Sequence, residues 1–398
     1  MDTGIRILGM GVVSSIGLNV EESLASLRSR RCGISPVELL QTAHRSRLKA
    51  GEIKLSNMQL MDLLGIPEKE YREYTRTSLL GMLAAREAFE SAGIDPADGI
   101  STALVSATTV GGMDKSEQMY QGGQEDYSYV GTHPCGDSTD KIAAFLGIGH
   151  YRSTLSTACS SGANAIIHGA RLIRNGFCER VIAGGVDALS AFTLNGFNSL
   201  MILDPDLCRP FDRSRKGLNL GEGAGYLILG SAYSSPDTEV CCGLSGYANS
   251  NDAFHQTASS PDGEAAYQAM KGALGMAGIL PAEIDYINVH GTGTENNDAS
   301  EGAAMKRLFG DELPAFSSTK SFTGHTLGAA AGIEAVFSVL ALREGLIFPS
   351  LGFNEPVEEL GICPEVRLLE DQPLRYVLSN SFGFGGNNSS LLFKKSGI

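Results

Sequence analysis

The sequence predicts an α/β fold built from two like halves. Three observations carry that expectation. Short apolar runs alternate with amphipathic helical stretches, the turn Ala92-Gly93-Ile94-Asp95-Pro96 returns as Ala277-Gly278-Ile279-Leu280-Pro281, and 49 glycines are spread over 398 residues. Alternating strand and helix patterns indicate strands sheathed by helices. Abundant glycine suits tight strand–helix turns and close backbone packing. In each half a helix runs into the AGIxP turn and then into a strand that meets threonines, Thr108-Thr109 in the first and Thr292-Gly293-Thr294 in the second. The repeat is far longer than the roughly 20–50 residues of a solenoid unit. It reads as a duplicated domain with halves at 1–237 and 238–398 about a pseudo-twofold axis. A site at their junction can draw groups from both.

The elements follow in order. Ile5 to Val13 has a strand pattern, and Val20 to Arg30 reads as a helix. A charged helical stretch continues to Arg76. Thr77 to Ala92 is an amphipathic helix stopped by Gly93, and Ala103 to Ala107 is a buried strand. Gly111 to Gly136 is polar and glycine-rich, and reads as a long surface excursion. A short helix is expected over Lys141–Leu146. The proline-free run Gly162–Arg174 predicts a helix with Ala163, Ile166, Ile167, Ala170 and Ile173 on its apolar face. Val181–Gly185 and Ile284–Val289 read as strands. A Gly/Ala-rich helix ends at Arg343-Glu344-Gly345, and a strand spans Tyr376–Leu378.

Composition excludes several classes. With 42% apolar residues the chain can bury a large core, yet no apolar run approaches the ~20 residues of a membrane helix. Met1-Asp2-Thr3-Gly4 has no basic segment leading into an apolar one, so a secretory signal is not expected and the cytoplasm is. Eight cysteines without CxxC spacing suggest neither a disulfide framework nor a zinc site. A net charge of −14 argues against a nucleic-acid surface. Two local clusters, Lys69 to Arg76 (with Arg72) and Arg209 to Lys216, are either solvated mixed-charge faces or places for an acidic partner.

The chemistry centres on Cys159, in Thr157-Ala158-Cys159-Ser160-Ser161-Gly162. It stands where a strand gives way to a helix, facing the N–H groups and positive dipole end of that helix, which favour a thiolate. A structural buried cysteine fits the peptide as well. His290 follows an apolar strand and precedes Gly291-Thr292-Gly293-Thr294. His325 lies in Ser318-Thr319-Lys320-Ser321-Phe322-Thr323-Gly324-His325 before the Ala-rich helix. Strand C-termini are where α/β folds place ligands. Asn380-Ser381-Phe382-Gly383-Phe384-Gly385-Gly386-Asn387-Asn388 can offer backbone N–H groups to an oxyanion. It is not a dinucleotide fingerprint, and GxxxxGK[ST] is absent. A thiol, two histidines, a lysine and an N–H loop suit acyl transfer through a thioester; a cysteine hydrolase leaves the second histidine without a duty.

Over nearly its whole length the chain resembles the β-ketoacyl synthases, the condensing enzymes of fatty acid and polyketide synthesis. The motifs are STACSSG around Cys159, RPFD at Arg209–Asp212, GEGAG at Gly221–Gly225, HGTGT at His290–Thr294, KSFTGHTLGAAAG at Lys320–Gly332 and NSFGFGGNN at Asn380–Asn388. The resemblance implies a thiolase-like five-layered αβαβα fold. It implies decarboxylative condensation of an acyl-enzyme with malonyl acyl carrier protein, with no metal or nucleotide cofactor and a homodimer. Cys159 matches the nucleophile, His290 and His325 the decarboxylation histidines, and Lys320 the lysine beside them. Asp298, Glu301 and Glu334 match supporting carboxylates. The N–H groups of Cys159 and Phe384 would form the oxyanion hole, with Phe384 also gating the acyl pocket. Thr292, Thr294 and Thr257 would hold the phosphopantetheine arm. Arg209, Arg213, Arg215 and Lys216, with Arg72 and Lys69 behind them, would dock the acidic carrier protein. Alternatives are a polyketide or aryl-polyene synthase working with a partner, and a non-catalytic chain-length subunit. The chain departs from the common pattern in two places: Asn387 stands where GGTN has threonine, and Leu218-Asn219 where Phe-Val is usual.

Overall fold

A computed structural model of the chain describes residues 4–94, 99–121, 127–231 and 242–397. The first half runs β1 (Ile5–Ser14), α1 (Val20–Arg28), a ribbon of β2 (Ser35–Pro36) and β3 (Lys49–Ala50), α2 (Asn57–Leu64), α3 (Arg76–Ser91), β4 (Thr102–Ala107), α4 (Met113–Gln121), α5 (Cys135–Phe145), β5 (Tyr151–Leu155), α6 (Ser161–Arg174), β6 (Arg180–Asp187), α7 (Ala191–Ser199) and β7 (Gly223–Ser231). The second runs β8 (Cys242–Asn251), α8 (Glu264–Ala277), β9 (Tyr286–Asn288), α9 (Glu295–Phe309), β10 (Ala315–Ser317), the single turn α10 (Lys320–Thr323), α11 (Ala330–Glu344), β11 (Tyr376–Phe382) and β12 (Asn387–Lys395). The expected boundary at 237/238 and the Asp95-Pro96 end of the first AGIxP turn lie outside the described residues.

The duplication is visible in the hydrogen bonding. Strand order is β10-β9-β11-β12-β8-β1-β7-β6-β4-β5. Outward from β1, the pairings to β7, β6, β4 and β5 are antiparallel, antiparallel, parallel and parallel. Outward from β8, the pairings to β12, β11, β9 and β10 follow the same succession. The halves meet through two antiparallel residue pairs, Ile5 with Leu244 and Arg6 with Gly243.

Helices α6 and α11 occupy equivalent places in the two halves, and each packs on strands of both half-sheets. They form the middle layer. A helix between two sheets has no solvent face, and α11 accordingly buries every residue from Ala330 to Leu342. α6 buries the expected Ala163, Ile166, Ile167, Ala170 and Ile173. Helix α3 with α2 and α5 covers the outside of one half-sheet through Leu79, Leu83, Leu104 and Tyr226. Helices α8 and α9 cover the other through Met270, Leu274, Ile287 and Met305. The layers therefore alternate α, β, α, β, α. Glycine sets their spacing. A Cβ on Gly332 would stand 2.4 Å from the Gly225 carbonyl, and one on Gly162 would stand 2.7 Å from the Gly332 nitrogen.

Several local expectations need correction. The stretch up to Arg76 is not a continuous helix: Gly33, Pro36, Gly51 and Pro67 break it into the β2–β3 ribbon, α2 and a 3₁₀ segment at Glu68–Glu73. Gly111–Gly136 is not simply a surface excursion. It contains α4, whose Asp114 and Lys115 are buried, and Asp114 accepts the N–H that opens α3 at Arg76, 2.8 Å away. Buried polar side chains disguised that helix as a loop. The helix expected from Lys141 begins at Cys135. α9, an element the sequence pattern does not predict, buries its Asp298 and Glu301.

Candidate active site

The pseudo-symmetry brings the reactive groups together. Cys159 precedes α6 and His325 precedes α11, so the two middle-layer helices present equivalent entrances to one junction. Cys159 is buried, follows Ala158 at φ +53°, and lies one residue before Ser160, the N-cap of α6. A non-glycine residue in the left-handed region is strained and is held only by its surroundings. Here Ser161 N–H and Oγ donate to the Ala158 carbonyl at 3.1 and 2.5 Å, and Thr157 N–H donates to Ser161 Oγ at 2.7 Å.

His325 Nε2 is 3.1 Å from Cys159 Sγ. Its other nitrogen, Nδ1, accepts the Leu327 N–H at 3.2 Å. Its backbone is clamped from both sides, with His325 N–H donating to Asn219 O at 2.7 Å and Gly221 N–H to His325 O at 2.9 Å. His290 follows β9 and stands edge-on to His325, with ring centroids 5.3 Å apart at 86°. Lys320 Nζ approaches His290 Nδ1 at 3.2 Å and forms a buried ion pair with Glu334. An ammonium only donates, so His290 Nδ1 is also an acceptor. Both neutral rings therefore carry their proton on Nε2, and the sulfur and one nitrogen of each ring lie within 4.8 Å of one another.

Burial is the dominant electrostatic influence. It holds both imidazoles well below the ordinary histidine range, and the nearby Lys320 charge pushes the same way. It raises the Cys159 thiol to about 11, against the pull of the Phe384 N–H and Lys320. Desolvation opposes the thiolate that the helix terminus favours and is the larger influence on the sulfur. Burial also raises Glu301 and Glu334 to about 7 each, against the N–H groups and the ammonium they accept from.

The three carboxylates divide as their contacts dictate. Glu334 holds Lys320. Glu301 takes the N–H groups of His290 and Gly291 at 2.9 and 2.8 Å, and Asp298 those of Thr292, Gly293 and Phe211 at 3.1, 3.2 and 2.7 Å. Asp298 and Glu301 therefore hold the loop and do not face the sulfur. Asp187, at the end of β6, does similar work and was not anticipated. It accepts from Thr109 N–H, Val110 N–H and Gly328 N–H, and so ties the turn after β4 to the turn after His325. Nothing near it in sequence signals that role, because its partners are distant along the chain.

A cavity of about 360 Å³ opens onto Cys159, His290 and His325, lined also by Thr257, Thr292, Thr294, Phe197, Lys216 and Phe384. Phe384 stacks on Phe197, with centroids 5.8 Å apart at 13°. The basic residues separate. Lys216 is exposed at the cavity. Arg213 is exposed and faces Glu355 at 3.9 Å. Arg209 is half-buried and donates to Ser214 Oγ at 2.9 Å. Arg215 is turned inward, 3.7 Å from Asp298. Lys69 and Arg72 border a different hollow, with Ser56, Asn57 and Met58.

Comparison with known proteins agrees with this architecture. Residues 2–235 match the family model for the beta-ketoacyl synthase N-terminal domain, and residues 241–354 match that for the C-terminal domain. The chain is 33% identical over 417 aligned residues to 3-oxoacyl-[acyl-carrier-protein] synthase 2 of Staphylococcus aureus strain MRSA252, covering 99% of each. It is 32% identical to Nodulation protein E of Rhizobium meliloti, covering 99% of this chain and 100% of that one. Among solved structures, the ishigamide ketosynthase/chain length factor superposes with a TM-score of 0.92 at 31% identity, with both chains covered in full. A Xenorhabdus doucetiae ketosynthase in complex with its chain length factor gives 0.85 at 32% identity, covering 99% of this chain and 98% of that one. The chain belongs to the beta-ketoacyl synthase family.

Proposed function

We propose that this protein condenses an acyl group carried on Cys159 with a malonyl thioester of acyl carrier protein, giving a 3-oxoacyl carrier protein and CO₂ in fatty acid or polyketide elongation. The observation that carries this reading is the convergence of two imidazole Nε2–H donors beside one buried sulfur. A hydrolase needs the imidazole next to its sulfur to act as a base, with Nδ1–H oriented by an acceptor. His325 has the opposite arrangement, since its Nδ1 accepts. The protonated Nε2 atoms also offer no lone pair to a metal, which supports a reaction without one.

In the acyl-transfer step, sulfur attacks the incoming thioester and the carrier's sulfur leaves as a thiol, taking the Cys159 proton. In the second, the malonyl carboxylate departs as CO₂ and its electron pair becomes an enolate. The enolate oxygen accepts from His290 Nε2–H and His325 Nε2–H, and Lys320 holds the His290 ring as a donor. The enolate carbon then attacks the acyl carbonyl on Cys159. The tetrahedral oxyanion is held by the N–H groups of Cys159 and Phe384, and its collapse gives the 3-oxo product and expels the sulfur as a thiolate, which takes up a proton from water. Thr292, Thr294 and Thr257 line the approach, with hydroxyls suited to the pantetheine arm.

Two experiments test the chemistry. Cys159→Gln abolishes condensation and retains malonyl decarboxylation, measured as CO₂ release. Adding His290→Ala or His325→Ala to that variant lowers decarboxylation by about 10²–10³, the usual effect of losing one oxyanion donor. Loss of decarboxylation in Cys159→Gln with hydrolysis intact in the wild type points to the hydrolase reading instead. The imidazoles are also expected to stay neutral as pH falls from about 8 to about 6, because a lowered pKa means protonation only well below the ordinary ~6.5. Histidine ¹³C NMR measures this; an imidazolium midpoint at or above about 6.5 for either ring removes the two-donor reading.

Lys216 is the docking cation best placed for an acidic carrier protein, with Arg213 and Arg209 beside it. Lys216→Glu is expected to raise the carrier-protein KM several-fold while acylation by a small thioester is unchanged; an unchanged KM eliminates the docking role.

The assembly we favour is a homodimer joined at β5. Among the described residues that strand pairs only with β4 and forms the outer edge of its half-sheet. Light scattering of the purified chain should give a dimer. A monomer that dimerises only with a second, similar chain supports instead a pairing with a chain-length subunit, as the Xenorhabdus ketosynthase is in complex with its chain length factor. Among the described residues no helix is long and apolar enough to cross a membrane; the compartment we propose is the cytoplasm.

A further inference from the structure

Asn387 opens β12 immediately after the turn that carries Phe384, and its side chain is the hub of a polar cluster. Its Oδ1 accepts from Ser160 Oγ at 2.6 Å, Asn164 Nδ2 at 2.8 Å and Asn249 Nδ2 at 2.8 Å. Ser160 is the residue after the nucleophile and the N-cap of α6, and Asn164 lies in that helix's first turn. Asn164 Nδ2 also donates to Thr157 Oγ1 at 2.8 Å, on the other side of Cys159. The backbone of Asn387 faces the opposite way, its carbonyl accepting the Gly383 N–H at 2.9 Å just before Phe384. One residue thus grips the loop holding the Cys159 N–H with its side chain and the loop holding the Phe384 N–H with its main chain. Those loops come from different halves of the molecule.

Resting on the oxyanion-hole reading above, we infer that Asn387 is a positioning residue that sets the spacing between the two N–H donors of the hole. Two donors on separate loops stabilise a tetrahedral oxyanion only if the loops keep a fixed separation, since their benefit depends on geometry at the scale of a few tenths of an ångström. A planar amide oxygen two bonds beyond Cβ reaches three donors at once, and the Gly383 contact ties the residue before Phe384 to the same end of β12. The histidines are not part of this cluster. Lys320 and Leu327 hold them instead. Asn387 should therefore govern the steps that pass through the tetrahedral oxyanion and not decarboxylation.

The test is Asn387→Ala, in the full chain and also combined with Cys159→Gln. Asn387 is half-buried at the rim of the sheet, so the fold should survive; circular dichroism and the melting temperature check it. Acylation of Cys159 by an acyl thioester, followed by intact-protein mass spectrometry, should slow roughly ten- to a hundredfold in kcat with KM little changed. Malonyl decarboxylation by Cys159→Gln/Asn387→Ala should match that of Cys159→Gln alone. Acylation at the wild-type rate, or equal losses in acylation and decarboxylation, overturns the inference. If the variant does not fold, Asn164→Ala and Ser160→Ala, which remove donors from the same oxygen, must show the same split; its absence from both also overturns it. A wild-type protein that neither acylates nor decarboxylates would instead sink the condensing-enzyme reading itself.

Discussion

Lys320 donates to His290 Nδ1 from a wall that also buries Glu334, and the Leu327 N–H donates to His325 Nδ1 from the turn that opens α11. With both Nδ1 atoms engaged as acceptors, both neutral rings have to present Nε2–H to the same small volume. Burial then keeps the rings neutral by penalising the imidazolium. The lysine does more than hold a ring: its charge adds to the depression of both histidines. Such an arrangement has a structural cost. A buried ion pair gains little over apolar packing, but removing one partner strands the other at a loss of about 3–5 kcal/mol. Glu334 and Lys320 consequently stand or fall together.

The fold makes this possible by placing two helix entrances at one junction. Duplicated halves related by a pseudo-twofold axis put α6 and α11 side by side between the sheets. The residues preceding them, Cys159 and His325, meet across the axis. The same close approach excludes side chains at Gly162, Gly225 and Gly332. It also accounts for the raised thiol pKa. The packing that brings the sulfur within 3.1 Å of His325 removes the water that would solvate a thiolate. Reactivity must then come from the arriving substrate and the N–H groups aimed at it.

Much of this was legible in residue order, and the failures have physical causes. Apolar periodicity marked β1, α3, β4 and α6, because burying one face imposes a period that sequence must carry. It failed for α4, whose inward face bears Asp114 and Lys115, and left α9 unmarked, where Asp298 and Glu301 face inward. A buried carboxylate that collects N–H groups is indistinguishable in sequence from a solvated one. The departures noted in the sequence acquire specific duties. Asn219 holds Cys208 N–H and the Asp204 and Asp206 carbonyls with its side chain, and its own carbonyl holds His325. Asn387 ties the nucleophile loop to the Phe384 loop.

The sequence by itself determined the chemistry available: a cysteine at a strand–helix junction, one histidine after a strand and another before an Ala-rich helix, a lysine, and a glycine-rich turn, in motifs specific enough to identify the family. Those facts are local, fixed by residue type and neighbours. Tertiary structure alone decided how the groups are charged and aimed. The imidazole tautomers depend on a lysine thirty residues from His290 and on the Leu327 N–H, the thiol's protonation on how completely α6 and α11 close around it, and the division among carboxylates on which N–H groups lie within reach. Hydrogen-bond direction and desolvation arise from atoms brought together across the two halves, and linear order does not encode that proximity.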